Sequence, residues 1–140
     1  MGIEYTFQKP LDHGSVSLIL NEIALASHSK HVQLRLGIVN EYYPNSNRRK
    51  EYFDKPGGIF YSKNNDCLEF VLECDMNSGE DGSPPNVSKI VFRPSETNEA
   101  EETKYAKELV SLIPEAEKLF PYLAITHRET MIKLPKDKGD

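Results

Sequence analysis

Hydrophobic and polar side chains alternate most regularly over residues 67–76. Leu68, Phe70 and Leu72 fall on one side of an extended backbone there, and acidic residues fall on the other. This period of two predicts a β-strand with one face on a hydrophobic core. Burying three side chains does not offset the entropy of ordering ten residues. We therefore expect this strand to pair on both edges within a larger sheet.

Four other segments show the same alternation and are predicted to be strands. They are residues 3–7, 32–43, 59–63 and 87–93, with residues 51–53 as a candidate sixth strand. Proline and glycine set the expected ends of these strands. Pro10 is predicted to end the first strand, and Gly57-Gly58 is interpreted as a turn.

Two segments follow a helical period instead. Residues 15–27 begin after capping chemistry at Asp12. Their apolar positions form one stripe, which Leu18 and Leu25 widen, so we expect little of this helix to face water.

The second helix is predicted from Asn98, where Asn98 and Glu101 resemble a capping box. Pro114 is expected to end this helix, because proline lacks the N–H that a helix interior needs. Residues 123–134 fit a strand better than a short helix, which is the alternative.

The order strand, helix, several strands, helix, strand predicts an α+β fold. It would be a mostly antiparallel sheet of about five to six strands with two helices packed on one face. A chain of 140 residues fits a single domain over residues 1–140.

Charge and cysteine content bound the class of protein. The net charge is −5, and all the excess negative charge lies in residues 71–140. This balance argues against a nucleic-acid partner and for a basic protein partner. No apolar run is long enough to span a membrane, and no secretory signal precedes the fold. Cys67 and Cys74 fall on opposite faces of one strand as unbridged packing residues, which predicts a cytoplasmic location.

No sequence motif specifies catalysis. The chain lacks a glycine-rich phosphate loop, a nucleophile elbow, a Cys-x-x-Cys pair and a dinucleotide fingerprint. This absence favours a binding protein without excluding an enzyme, and no cofactor is expected. His28 and His31 lack a third metal ligand, so we interpret them as exposed histidines at a helix end and predict no metal site.

Three acidic residues form a row on the polar side of the best strand. Glu69, Glu73 and Asp75 would face neighbouring strands, where Lys89 or Arg93 could pair with them. Beyond that structural role, we expect the row to meet a basic partner.

The aromatic and basic residues of one meander are the other candidate contacts. Tyrosine and arginine dominate binding hot spots. The predicted contact residues are Tyr42, Tyr43, Arg48, Arg49 and Tyr52.

Three functional hypotheses follow. The leading one is a small protein-binding module of the inhibitor, immunity or antitoxin kind, which acts by occupying the surface of another protein. The second is a small-molecule-binding or enzymatic domain, with a pocket between sheet and helices that contains His13 or His127. The third is nucleic-acid binding through the basic residues 48–50. The oligomeric state is not specified by any pattern.

Overall fold

The computed structural model describes residues 3–35, 56–75 and 86–138, with side chains described up to Ile125 and excepting that of Arg35. The elements in chain order are β1 (Ile3–Leu11), α1 (His13–Ala26), β2 (His31–Arg35), β3 (Gly57–Tyr61), β4 (Cys67–Asp75), β5 (Asn86–Arg93), a 3₁₀ turn (Glu96–Asn98) and α2 (Glu99–Lys138). Two helices and five strands therefore make up the described α+β fold.

The five strands form one antiparallel sheet in the order β1-β5-β4-β3-β2. The strand with the most regular alternation, β4, lies in the middle and pairs with β3 and β5, as predicted. Its burial alternates along the chain, since Leu68, Phe70 and Leu72 are buried and the acidic residues between them are exposed.

The core is one cluster of buried side chains from the sheet and both helices. At its centre, Phe60, Phe70 and Phe92 come from three adjacent strands, and their ring centroids lie 5.3 to 6.1 Å apart. Every sheet residue of the cluster lies on one face of the sheet in the observed register. That both helices pack on this one face stays a prediction, which their shared cluster supports.

The first strand continues through Pro10 to Leu11, so the predicted end at Pro10 was wrong. The strand β1 is the outer neighbour of β5, and its register shifts between Thr6 and Leu11. An edge strand tolerates proline because the missing N–H need not pair with a second neighbour.

The glycines Gly57 and Gly58 lie within β3, so their interpretation as a turn was also wrong. A methyl group at Gly58 would overlap the carbonyl oxygen of Gln33, and one at Gly57 would overlap that of Phe70. Glycine is needed here for close approach of the neighbouring backbones, which local sequence cannot indicate.

The first helix begins as expected, because the Asp12 carboxylate accepts a hydrogen bond from the Ser15 N–H at 3.0 Å. Its apolar stripe is narrower than predicted. Leu18 is only half-buried and Leu25 is 73% exposed, so the outer side of α1 faces water.

The second helix differs most from expectation. It runs through Pro114, and residues 123–134 are helical, so both the predicted end and the preferred strand were wrong. The stripe that packs on the core continues past the proline from Ile113 to Ala116. Pro114 itself is exposed, so water can solvate the carbonyl that loses its partner.

The start of α2 is capped by a different pair from the one predicted. Glu102, which is 5% exposed, accepts from the Ser95 N–H at 2.7 Å and from the Ser95 hydroxyl at 2.8 Å. The Asn98 amide donates instead to Asp66 Oδ1 at 2.9 Å, so the predicted box of Asn98 with Glu101 was wrong. The search of the described residues finds no helix apolar enough over a sufficient length to cross a membrane.

Candidate functional site

The acidic row of β4 lies beside basic side chains of β5. Glu69 pairs in register with Arg93, and Glu73 pairs with Lys89. The Lys89 ammonium lies 3.8 Å from the Glu73 carboxylate and 3.3 Å from that of Glu4. Such exposed ion pairs contribute at most about 1 kcal/mol each. The face is therefore mixed in charge, and the structural pairing expected for Glu73 is present.

An extra residue in β5 explains why Lys89 reaches this face. The register shifts after Glu73, which leaves Ser88 without a direct partner on β4. The Ser88 hydroxyl donates to the Glu73 carbonyl at 3.1 Å. This bulge lets Val87 and Ile90 both point into the core while Lys89 remains on the outer face. Asp75, beyond the bulge, is half-buried.

The predicted contact residues of the meander lie outside the described residues. They are Tyr42, Tyr43, Arg48, Arg49 and Tyr52. Their role in binding, and that of residues 48–50 in nucleic-acid recognition, stay predictions.

The two candidate histidines do not share a helical face. His28 follows the end of α1 with a φ of 60°, and His31 begins β2, where its ring stacks on Tyr61 at 4.4 Å. Within the part of the chain that the structure describes, no group of three His, Cys, Asp or Glu residues could hold a metal ion. Cys67 is exposed, and the half-buried Cys74 packs against the core.

A polar cavity of about 150 Å³ lies where the end of α1, the β3–β4 turn and the start of α2 meet. Its lining residues are Ser27, Ser29, Ser62, Lys63, Asn64, Asp66, Glu101, Lys104, Tyr105 and Glu108. His13 is not among them, and the side chain of His127 lies outside the described part.

The hydroxyl groups of this cavity bind one another. The Ser27 hydroxyl donates to the Ala24 carbonyl at 3.2 Å, so it accepts from Ser29 at 2.7 Å. Ser29 in turn accepts from the hydroxyl of Tyr105. Burial raises the pKa of Tyr105, which keeps this hydroxyl protonated as a donor. These groups join α1 to α2 and leave no buried hydroxyl of the chain unpaired.

The cavity has the character of a structural junction rather than a substrate pocket. Ligand pockets usually enclose about 300–1,000 Å³ with mostly apolar walls. This cavity is smaller and polar, and its charged residues Lys63, Lys104, Glu101 and Glu108 are all exposed to water.

The most unusual surface lies on α2 after the core contacts end. We call residues 119–125 the apolar segment. Successive residues of a helix are turned by 100°, so these seven uncharged residues cover the whole circumference of about two turns. Leu119, Tyr122 and Ile125 are 43%, 68% and 53% exposed. Ala116 is the last buried residue among the described side chains of α2.

One polar contact fixes α2 to the sheet just before the apolar segment. The Tyr5 hydroxyl donates to Glu117 Oε1, and the Gln8 N–H donates to Glu117 Oε2 at 3.2 Å. Burial, together with the hydrogen bond and the negative charge of Glu117, raises the pKa of Tyr5 to about 12. Glu117 therefore sets where the helix leaves β1 and the apolar segment begins.

The sequence predictions missed this surface. The signal was the run without a charged residue from Leu119 to Thr126, which is apolar in every direction once it is placed on a helix. The expected end at Pro114 hid it, because a strand over residues 123–134 would have placed the same side chains in a sheet.

No protein-family model, no curated protein and no solved structure matches this chain. The functional argument therefore depends on the geometry of these surfaces.

Proposed function

We propose that this chain is a protein-binding domain whose main contact is the apolar segment of α2. The observation that carries the proposal is the exposure of Leu119, Tyr122 and Ile125 on two turns of helix that have no charged side. A helix that is apolar all round is normally buried. Contiguous exposed apolar patches mark interaction sites on soluble proteins.

The residue types of the segment fit a protein partner. Tyrosine at the centre of an interface contributes a large rigid contact area, and Tyr122 is the most exposed of the three. Helices that bind in grooves present anchors three or four positions apart, which is the spacing of Leu119, Tyr122 and Ile125.

The acidic row of Glu69, Glu73 and Asp75 is a secondary contact in this proposal. Lys89 offsets part of its charge, so its expected contribution is to the rate of association with a basic partner more than to affinity. The two cysteines are both free, which fits a reducing compartment such as the cytoplasm.

Site-specific photocrosslinking tests the proposal. A photoreactive phenylalanine analogue replaces Tyr122 in one variant, Glu69 in a second and exposed Ser111 of α2 in a third, which is the matched control. Each purified variant is irradiated in lysate of the source cells, and the adducts are identified by mass spectrometry. We expect one dominant adduct of defined mass from position 122, a weaker adduct from position 69 and only background from position 111.

Two results would count against the proposal. Equal diffuse labelling at the three positions would mean that the apolar segment has no specific partner. A dominant adduct at position 69 alone would transfer the main contact to the sheet face.

The small-molecule hypothesis is less well supported. The polar cavity is small, its hydroxyls are already hydrogen-bonded, and His13 does not line it.

A further inference from the structure

We infer that the partner of the apolar segment is a second copy of this chain, bound antiparallel about a two-fold axis near Tyr122. This inference rests on the proposed function and names its partner. It follows from how charge is distributed along α2 on either side of the apolar segment.

The two flanks of the apolar segment carry opposite net charge. Residues 108–117 contain three acidic residues, Glu108, Glu115 and Glu117, and no basic residue, which gives −3. Residues 127–138 contain four basic residues against two acidic residues, which gives +2 with histidine neutral. Both flanks belong to the same continuous helix.

This polarity favours one relative orientation of two copies. An antiparallel pair that crosses at the apolar segment sets each negative flank beside the positive flank of the other copy. A parallel pair sets like charge beside like charge, which is unfavourable. The same patch then serves both copies, as in the two-fold interfaces that are commonest among homo-oligomers. Each favourable contact occurs twice.

The length of free helix fits a modest interface. Residues 117–138 span about 33 Å at 1.5 Å per residue. A standard interface takes about 20–30 residues from each partner. One helix of 22 residues is at the lower end of that range. We therefore expect a reversible dimer, with dissociation visible at micromolar concentrations.

Sedimentation velocity across a concentration series tests for the dimer. We expect the unmodified chain to change from monomer to dimer, and Tyr122→Glu to weaken the dimer by at least about tenfold, as for a central anchor residue. Ile125→Glu should act in the same direction. Leu25→Glu is the matched control, because Leu25 is 73% exposed on α1 and outside the interface. It should leave the association unchanged, and circular dichroism confirms that each variant is folded.

Spin labels test the orientation. A nitroxide is attached at Glu115→Cys in a background with Cys67→Ser and Cys74→Ala. Glu115 is seven residues before Tyr122, so an antiparallel pair separates the two backbone sites by about 21 Å along the axis. A parallel pair would leave them about 10 Å apart. Added salt should weaken the antiparallel dimer, because it screens opposite charges.

A chain that stays monomeric at all concentrations overturns the inference. If the crosslinker at position 122 then captures a different protein, the proposed function stands with another partner. If the chain is monomeric and position 122 gives only background, both fail. A dimer with the short label distance removes the charge argument.

Discussion

The two parts of α2 are both rich in apolar residues, yet only the first is complete within the fold. Up to Ala116, the core-facing residues Ala106, Leu109 and Ile113 share one stripe and are buried, while the other sides are polar. In the apolar segment the hydrophobic side chains point in every direction and several are exposed. A one-sided stripe matches the single sheet that it packs on, whereas an all-round apolar surface needs contacts that this sheet does not supply.

A pair of leucines gives the largest test of that difference. Leu109→Ala should lower the free energy of unfolding by about 2–5 kcal/mol, because Leu109 is fully buried and its removal leaves a cavity. Leu119→Ala should change it by only about 0.5 kcal/mol, as at other exposed positions. Urea titration of dilute protein measures both. Equal costs would show that the two parts of α2 are packed alike.

Replacing the proline between the two parts tests whether they form one helix. Pro114→Ala restores a backbone donor in the helix interior at an exposed position. We expect stabilisation of about 1–3 kcal/mol, since interior proline costs about 3 kcal/mol relative to alanine. Urea titration and helix content by circular dichroism measure the change. An effect of only a few tenths of a kcal/mol would indicate that the helix ends at this residue after all.

The contact of Tyr5 with Glu117 marks the boundary between the two parts. Tyr5→Phe removes the hydroxyl donor and should cost about 1 kcal/mol, a typical net value for one hydrogen bond. Tyr61→Phe is the matched control, because the Tyr61 hydroxyl donates to Gln33 at 3.2 Å in an exposed position. The control should cost less. If both variants lose the same stability, the contact with Glu117 has no special role in fixing the helix.

The same tyrosine gives a smaller effect that depends on pH. The folded chain holds the pKa of Tyr5 at about 12 against an ordinary value of 10.0, so the native state retains a proton that the unfolded state releases. The contribution to stability is complete below about pH 10 and is lost as the pH rises towards 12. Urea midpoints between pH 8 and 11.5 should therefore fall more steeply for the unmodified chain than for Tyr5→Phe. Parallel curves would contradict this assignment.

Sequence patterns predicted the elements whose neighbours matter least. Alternation along β4 indicated both its bounds, to within one residue, and its buried side chains, because a period of two is a local property. The cap at Asp12 was equally local, since its partner is three residues away.

The wrong predictions share a different cause, namely that each depended on a neighbour distant in sequence. Pro10 is tolerated because β1 is the outer neighbour of β5, and Pro114 because it faces water while the opposite side of α2 packs on the sheet. Propensity alone treats both prolines as ends of elements. The apolar segment was missed for the same reason, because its meaning depends on where the sheet contacts of α2 stop.

The pair Gly57 and Gly58 has a consequence for how this chain can vary. Since a β-carbon at either position would meet a main-chain oxygen of an adjoining strand, repacking of side chains cannot relieve the overlap. In a saturation mutagenesis library selected for folded protein, these two positions should retain only the wild-type codon family. The flanking Ile59, whose side chain is half-buried, should accept other β-branched residues.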